Sequence, residues 1–143
     1  MLTYDGANAL LNCLTGRSQS YPYQTVYVGL GLKTYDGATV APERTGTFLH
    51  EPDGNGYARV LLGTAQQSAT QKMSAAALGA SANEEIIYFP EAEGAWGTCK
   101  YFALYSAATG GTCIAYGELT QEISPIAETV PIIRVHDLTM LIS

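Results

Sequence analysis

The sequence predicts a mainly β protein, an antiparallel β-sandwich (jelly-roll-like) with one short N-terminal helix. Short runs rich in β-branched and aromatic residues, each cut off by Gly or Pro, recur along the chain and crowd together after Asn83. Only one segment shows a helical period, which disfavours alternating β and α units. Charged residues make up just 14% of the 143, against 47% hydrophobic, with ten Tyr and fifteen Gly. That balance suits a β-rich surface, or one partly covered by neighbours. The length fits one domain over 1–143, with a helical arm at 1–17 and the sandwich at 25–143.

The helix is predicted near the start. Ala7, Leu10, Leu11 and Leu14 follow the i, i+3, i+4, i+7 spacing of one helical face, with Thr3 and Asp5 as available N-caps and Gly16 placed to stop it. After the turn-like "RSQSYPYQ", the run "TVYVGLGL" (Thr25 to Leu32) reads as a central strand, its Gly29 and Gly31 marking close backbone approach. Residues 33 to 56 carry Gly37, Pro42, Gly46, Pro52, Gly54 and Gly56, and so form a long loop, with a short strand near "TFLHE". "YARVLLG" opens the next strand at Tyr57. Between Thr64 and Ala82, Ala, Ser, Gln and Thr predominate, a composition open to a weak helix but read here as irregular. Strands then follow at "EEIIYFP", "TCKYFALYS", "TCIAYGELT" and "VPIIRVHDLTMLI".

The stretch "EGAWGTCKYFALYSAATGGTC" holds the only Trp and two of the three Cys. Strict alternation places Cys99, Tyr101, Ala103 and Tyr105 on one face, and Thr98, Lys100, Phe102 and Leu104 on the other. Large apolar groups on both faces imply an interior strand. Gly110 and Gly111 supply the positive φ that a loop over Ala107 to Gly111 requires. Ser106 then faces Thr112, Tyr105 faces Cys113, and the pairing continued outward sets Cys99 opposite Leu119. That register separates Cys99 from Cys113 by roughly 20 Å, beyond the reach of a disulfide. The three thiols are read as free and buried. Trp96, between Gly94 and Gly97, sits at the strand entrance, folded back over the core edge.

Little in the chain suggests a reaction. His50 lies in a loop and His136 near a strand end, with no Ser or Cys motif around either, so both read as surface or capping residues. Asp53, Glu91 and Glu93 are acids of the kind a glycosidase pairs, but here they read as solvated loop carboxylates. "DGNG" (Asp53 to Gly56) lacks the later ligands of a calcium loop and reads as a β-turn. "GLG" at 29 to 31 lacks the third Gly and the following helix of a dinucleotide fingerprint. The expectation is therefore no enzyme, no catalytic, metal or cofactor residues, and no cofactor. A formal charge of −6 with scattered cations argues against nucleic acid and anionic membranes as partners. No apolar run is long enough to span a bilayer, and a soluble protein made in the cytoplasm is expected. The many Tyr, with Trp96 and Tyr57 foremost, are the residues from which a sugar-stacking platform could be built.

Motifs along most of the chain resemble those of a family of small phage virion proteins described as tail fibre or minor structural proteins. The resemblance is carried by Val28 to Leu30, Glu51, Gly56 to Val60 in "GYARV", Asn83, Phe89 and Pro90, Trp96 to Thr98 in "WGT", Ala107 to Gly111 in "AATGG", Gly117, Leu119, and Leu138 to Leu141. The stretch "KTYDGATVAPERTGTFLH" is longer than the family pattern, and "PIAETVPIIRVHD" replaces a tighter turn, so these loops suit a particular neighbour or receptor. The motif positions also make sense as scaffold, with Arg59 placed to pair with Glu51 across a turn.

The resemblance implies a non-enzymatic structural component of a bacteriophage virion, a tail fibre or another tail or capsid surface protein acting through assembly contacts. The expected partners are other virion proteins and further copies of the chain, as a homo-oligomer of three or more. The alternative is a carbohydrate- or receptor-binding module on the virion that serves host attachment through a surface glycan. The location implied is the virion, after synthesis in the host cytoplasm.

Overall fold

The computed structural model describes residues 1–46, 50–64 and 71–141. The helix α1 (Tyr4–Leu14) is followed by β1 (Thr25–Leu32), β2 (Thr34–Tyr35), β3 (Ala38–Thr39), β4 (Val60–Thr64), β5 (Ala80–Ala82), β6 (Ile87–Tyr88), β7 (Cys99–Tyr105), β8 (Cys113–Ile123), β9 (Ile132–Ile133) and β10 (Thr139–Leu141). The fold is mainly β and antiparallel, with one helix among the described residues. Thr3 caps α1, its Oγ1 accepting from Gly6 N at 3.1 Å, and Gly16 follows the C-cap in the left-handed region.

A four-stranded sheet in the order β4-β1-β7-β8 forms one layer. β1 occupies the predicted residues and an interior position, with Val28 and Leu30 fully buried. The ribbons β6–β9 and β5–β10 lie on the other side of the core. They bring Ile87, Phe89, Ile133 and Leu138 against Val28, Leu30, Leu62 and Phe102, a sandwich-like packing.

Several expectations shift in detail. β4 begins at Val60 rather than Tyr57: the Tyr57 N–H turns back to Gly54 O at 3.0 Å and the Leu30 N–H of β1 goes to the Tyr57 hydroxyl, so the ladder ends at the Val28–Val60 pair. The long loop contains an extra hairpin, β2–β3, whose Asp36 and Gly37 have φ of +50° and +76°, as a tight two-residue turn demands. Of the segment read as irregular, residues 71 to 79 are outside regular strands and β5 ends it; residues 65–70 lie outside the described residues, as does most of "TFLHE". The last predicted strand is broken into β9 and β10 by a turn in which Asp137 N donates to Arg134 O at 3.0 Å.

The β7–β8 hairpin closes as predicted. Tyr105 pairs with Cys113, Ser106 N reaches Thr112 O at 3.0 Å, and Gly110 and Gly111 have φ of +62° and +71°. Further out the predicted register fails: Cys99 lies opposite Ile123, not Leu119. The ladder slips between Leu104 and Tyr105 and again between Cys99 and Tyr101. On the β1 side, too, Lys100 is passed over, since Gly31 pairs with Tyr101 and Leu32 with Cys99. This bulge reverses the alternation, so Cys99 joins Phe102 in the core rather than Tyr101 and Tyr105 on the opposite face. Lys100 points instead to Glu118, at 3.4 Å. All three cysteines are free.

Candidate functional site

The densest polar cluster gathers the residues that sequence motifs had singled out. Arg59 makes a two-pronged pair with Glu51, Nε to Oε1 at 3.0 Å and Nη2 to Oε2 at 2.8 Å. Its Nη1 donates to the carbonyls of Ala107 and Gly110 at 2.9 and 2.8 Å, fastening the β7–β8 loop to the segment before β4. The guanidinium lies 3.5 Å from the Tyr105 ring centre. Tyr57 donates its hydroxyl to Glu51 Oε1 at 2.6 Å and accepts from Leu30 N at 3.0 Å, past the point where β4 stops pairing with β1. Gly29 is required underneath: a Cβ there would stand 2.7 Å from Glu51 Oε1 and 2.8 Å from the Tyr57 hydroxyl oxygen.

The electrostatics follow from burial. The Arg59 and Glu51 side chains are only 10% and 22% exposed. Burial works against the Arg59 charge, and the Glu51 carboxylate more than offsets it, so the guanidinium pKa is raised. Burial and the adjacent Glu51 charge push the Tyr57 hydroxyl far above its ordinary range; the same two causes, in that order, raise Tyr105. Four donors of Arg59 are engaged by its own chain, which makes the cluster a clamp rather than a receptor for an outside anion.

A second hub is Asn83, fully buried. Its Nδ2 donates to the carbonyls of Glu85 and Arg134, and its Oδ1 accepts from Leu138 N at 3.1 Å. It thereby holds the turn between β9 and β10 to the body. Asn is ordinarily exposed, so residue type alone gives no sign of this role. Trp96 is 5% exposed, donates from Nε1 to Asn55 O at 2.8 Å, and stands edge-on to Tyr57 and Phe89. Trp96 is thus a core residue without an open face for a sugar, and Tyr57 is partly buried against it with its hydroxyl engaged by Glu51.

The reactive residue types are dispersed. Burial pushes the Cys99 thiol up to about 12 and the Cys113 thiol up to about 11, which keeps both protonated at neutral pH and poor nucleophiles. His136 caps a turn, its N–H donating to Asn83 O and its carbonyl accepting from Thr139 Oγ1. Asp53, Glu91 and Glu93 are all exposed, and Glu91 and Glu93 flank Gly56. Among the described residues no group of His, Cys, Asp and Glu has the arrangement of a metal site.

Several aromatic and apolar side chains also face outward amid a mostly polar surface. His50 stacks on Tyr35, with ring centres 4.3 Å apart and planes inclined by 10°, while Tyr35 remains 48% exposed on the β2–β3 hairpin. Sequence reading missed this pair, although the "DG" in "TYDGAT" is a hairpin signal. On α1, Tyr4, Leu11 and Leu14 are 54%, 56% and 73% exposed. A cleft of about 490 Å³ opens between the end of β8 and β9, floored by Leu119, Ile123 and Ile133 and rimmed by Glu122, Arg134 and Asp137.

A sandwich-like β body whose most enclosed polar side chains are spent on its own loops has the character of a scaffold. The family model for the podophage GP4 fiber I protein gp80 matches residues 1–140, and the chain belongs to that family. It is a phage fibre protein with a structural role in the virion. A comparison with curated proteins finds no match. No helix among the described residues is long and apolar enough to cross a membrane.

Proposed function

We propose that this chain is a non-enzymatic building element of a phage tail fibre, acting through assembly contacts with further copies of itself and with other virion proteins. The family match over residues 1–140 carries this reading. The inward use of Arg59, Glu51 and Asn83 supports it, because these residues stiffen corners and leave the surface for contact. Electron microscopy of purified particles should show density for this fold in a fibre. Particles that contain no copy of the chain would overturn the proposal.

A second reading, contact with a host glycan or receptor, is favoured by the Tyr35–His50 stack. One face of Tyr35 is held by the imidazole and the ring is half exposed on a projecting hairpin, a geometry suited to the apolar face of a pyranose. Glycan-array binding that is lost in Tyr35→Ala, with the circular dichroism spectrum intact, is the expected result. Unchanged binding in that variant would move any such contact elsewhere.

A further inference from the structure

We infer that Asn55 is a latent deamidation site, held shut by the corner at Gly94 to Trp96 and released when that corner opens. Of the four Asn in the chain, only Asn55 is followed by Gly. That neighbour matters chemically. With no Cβ, Gly56 leaves its backbone nitrogen unshielded beside the Asn55 carboxamide. Once that nitrogen gives its proton to water it attacks Asn55 Cγ: the Gly56 N–Cγ bond forms, the Cγ–Nδ2 bond breaks, and Nδ2 departs as ammonia. Water then adds to either carbonyl of the five-membered imide and opens the ring. The product is an aspartate, or its isomer in which the main chain runs through the side-chain carbon.

Both reacting groups lie at the surface, and both are fastened. Asn55 is exposed and shares with Gly56 the centre of a tight turn in which Tyr57 N donates to Gly54 O at 3.0 Å. Their φ values of +51° and +81° are those of a type I′ turn. The Asn55 carbonyl and the Gly56 nitrogen belong to one planar unit, so whatever holds the carbonyl also holds the nucleophile. Trp96 Nε1 and Glu93 N both donate to that carbonyl, at 2.8 and 2.9 Å. The electrophile is held by the same corner. Asn55 Nδ2 donates to Ala95 O at 3.0 Å, and the carboxamide lies on Gly94, where a Cβ would stand 2.8 Å from its Cγ and Oδ1.

Ring closure requires the peptide plane and the carboxamide to turn toward each other, which these bonds jointly oppose. The reaction is therefore confined to moments when residues 93 to 96 lift away, and its rate follows how often they do. The product does not fit the corner again. An aspartate carboxylate has no hydrogen to give Ala95 O and sets its charge against that carbonyl, while the isomer lengthens the main chain inside the turn. Conversion is a lasting mark on chains whose corner has opened.

Peptide mass spectrometry of the full chain, kept for days at mildly alkaline pH, follows the exchange of amide for acid at Asn55. The folded protein should convert at least about tenfold more slowly than the same chain unfolded in guanidinium chloride. Gly94→Ala, whose added methyl group displaces the carboxamide from Ala95 O, should convert severalfold faster than the unaltered protein with an unchanged far-ultraviolet circular dichroism spectrum. Trp96→Phe, which keeps a ring in the core but removes the donor to Asn55 O, should do the same. In both variants the acceleration should be confined to Asn55, with Asn8 and Asn12 unchanged. A folded protein that converts as fast as the unfolded chain overturns the inference. So does a pair of folded variants in which Asn55 converts no faster than in the unaltered protein, or an acceleration that Asn8 and Asn12 share.

Discussion

The Arg59 corner and the α1 arm treat side chains in opposite ways. At the corner a charged pair is nearly enclosed, and each partner is bonded to the other or to a neighbouring loop. On the arm apolar side chains face solvent, and only Gly6 is buried. Charge is enclosed where geometry satisfies it, and apolar surface stays out where the fold supplies no cover. The difference teaches that the motif-bearing Glu51, Tyr57 and Arg59 are spent on the shape of the chain, while the exposed apolar residues of α1 carry no motif.

The largest effect should come from breaking an inward hub. Asn83→Ala strands the buried Leu138 N–H and removes the partly buried bonds to the Glu85 and Arg134 carbonyls, about 4 kcal/mol in sum. Urea unfolding measures it, and a loss below about 1 kcal/mol would show that the β9–β10 turn is held by packing alone. Arg59→Ala should cost about 3 kcal/mol, because Glu51 is left partly buried without its partner. Arg59→Lys should recover only part of this, since an ammonium cannot fork onto Glu51 and also reach both loop carbonyls. Full recovery with Lys would reduce the clamp to a point charge.

Alkaline pH should weaken the body next. Cys99 and Cys113 ordinarily titrate near 9 but are raised to about 12 and about 11 in the fold. Above about pH 9 the unfolded chain releases these protons while the folded chain keeps them, so stability is complete below that pH and falls as pH rises toward 11–12. Denaturation midpoints should decline from pH 8 to pH 10, less steeply in Cys99→Ala, whose neutral-pH stability is itself lower. The smallest effect belongs to the arm: Leu14→Ser should alter the unfolding free energy of the isolated chain by no more than about 0.5 kcal/mol. A large loss there would mean that the exposed stripe serves the fold after all.

The legible parts of the sequence were those governed by short-range physics. Thr3, the apolar spacing of 7 to 14 and Gly16 announce α1; the run Thr25 to Leu32 announces β1; Gly110 and Gly111 announce the hairpin loop. The Glu51–Arg59 pair was anticipated across its turn. The register of Cys99 was not, because a bulge at Lys100 depends on what both neighbouring strands offer, and local alternation carries no record of it. The Tyr35–His50 stack brings a hairpin against a loop residue fifteen positions away, with only the Asp36–Gly37 turn to hint at it.

By itself, then, the sequence determined the class of fold, most strand positions, the helix and its caps, and the resemblance to phage fibre proteins, since each rests on residues close in the chain or on a pattern of types. Tertiary structure alone decided that Asn83 is a buried hub, that Tyr57 turns its hydroxyl onto Glu51, and that Leu11 and Leu14 stay in solvent. Burial depends on what packs opposite a residue, and chain neighbours do not specify it.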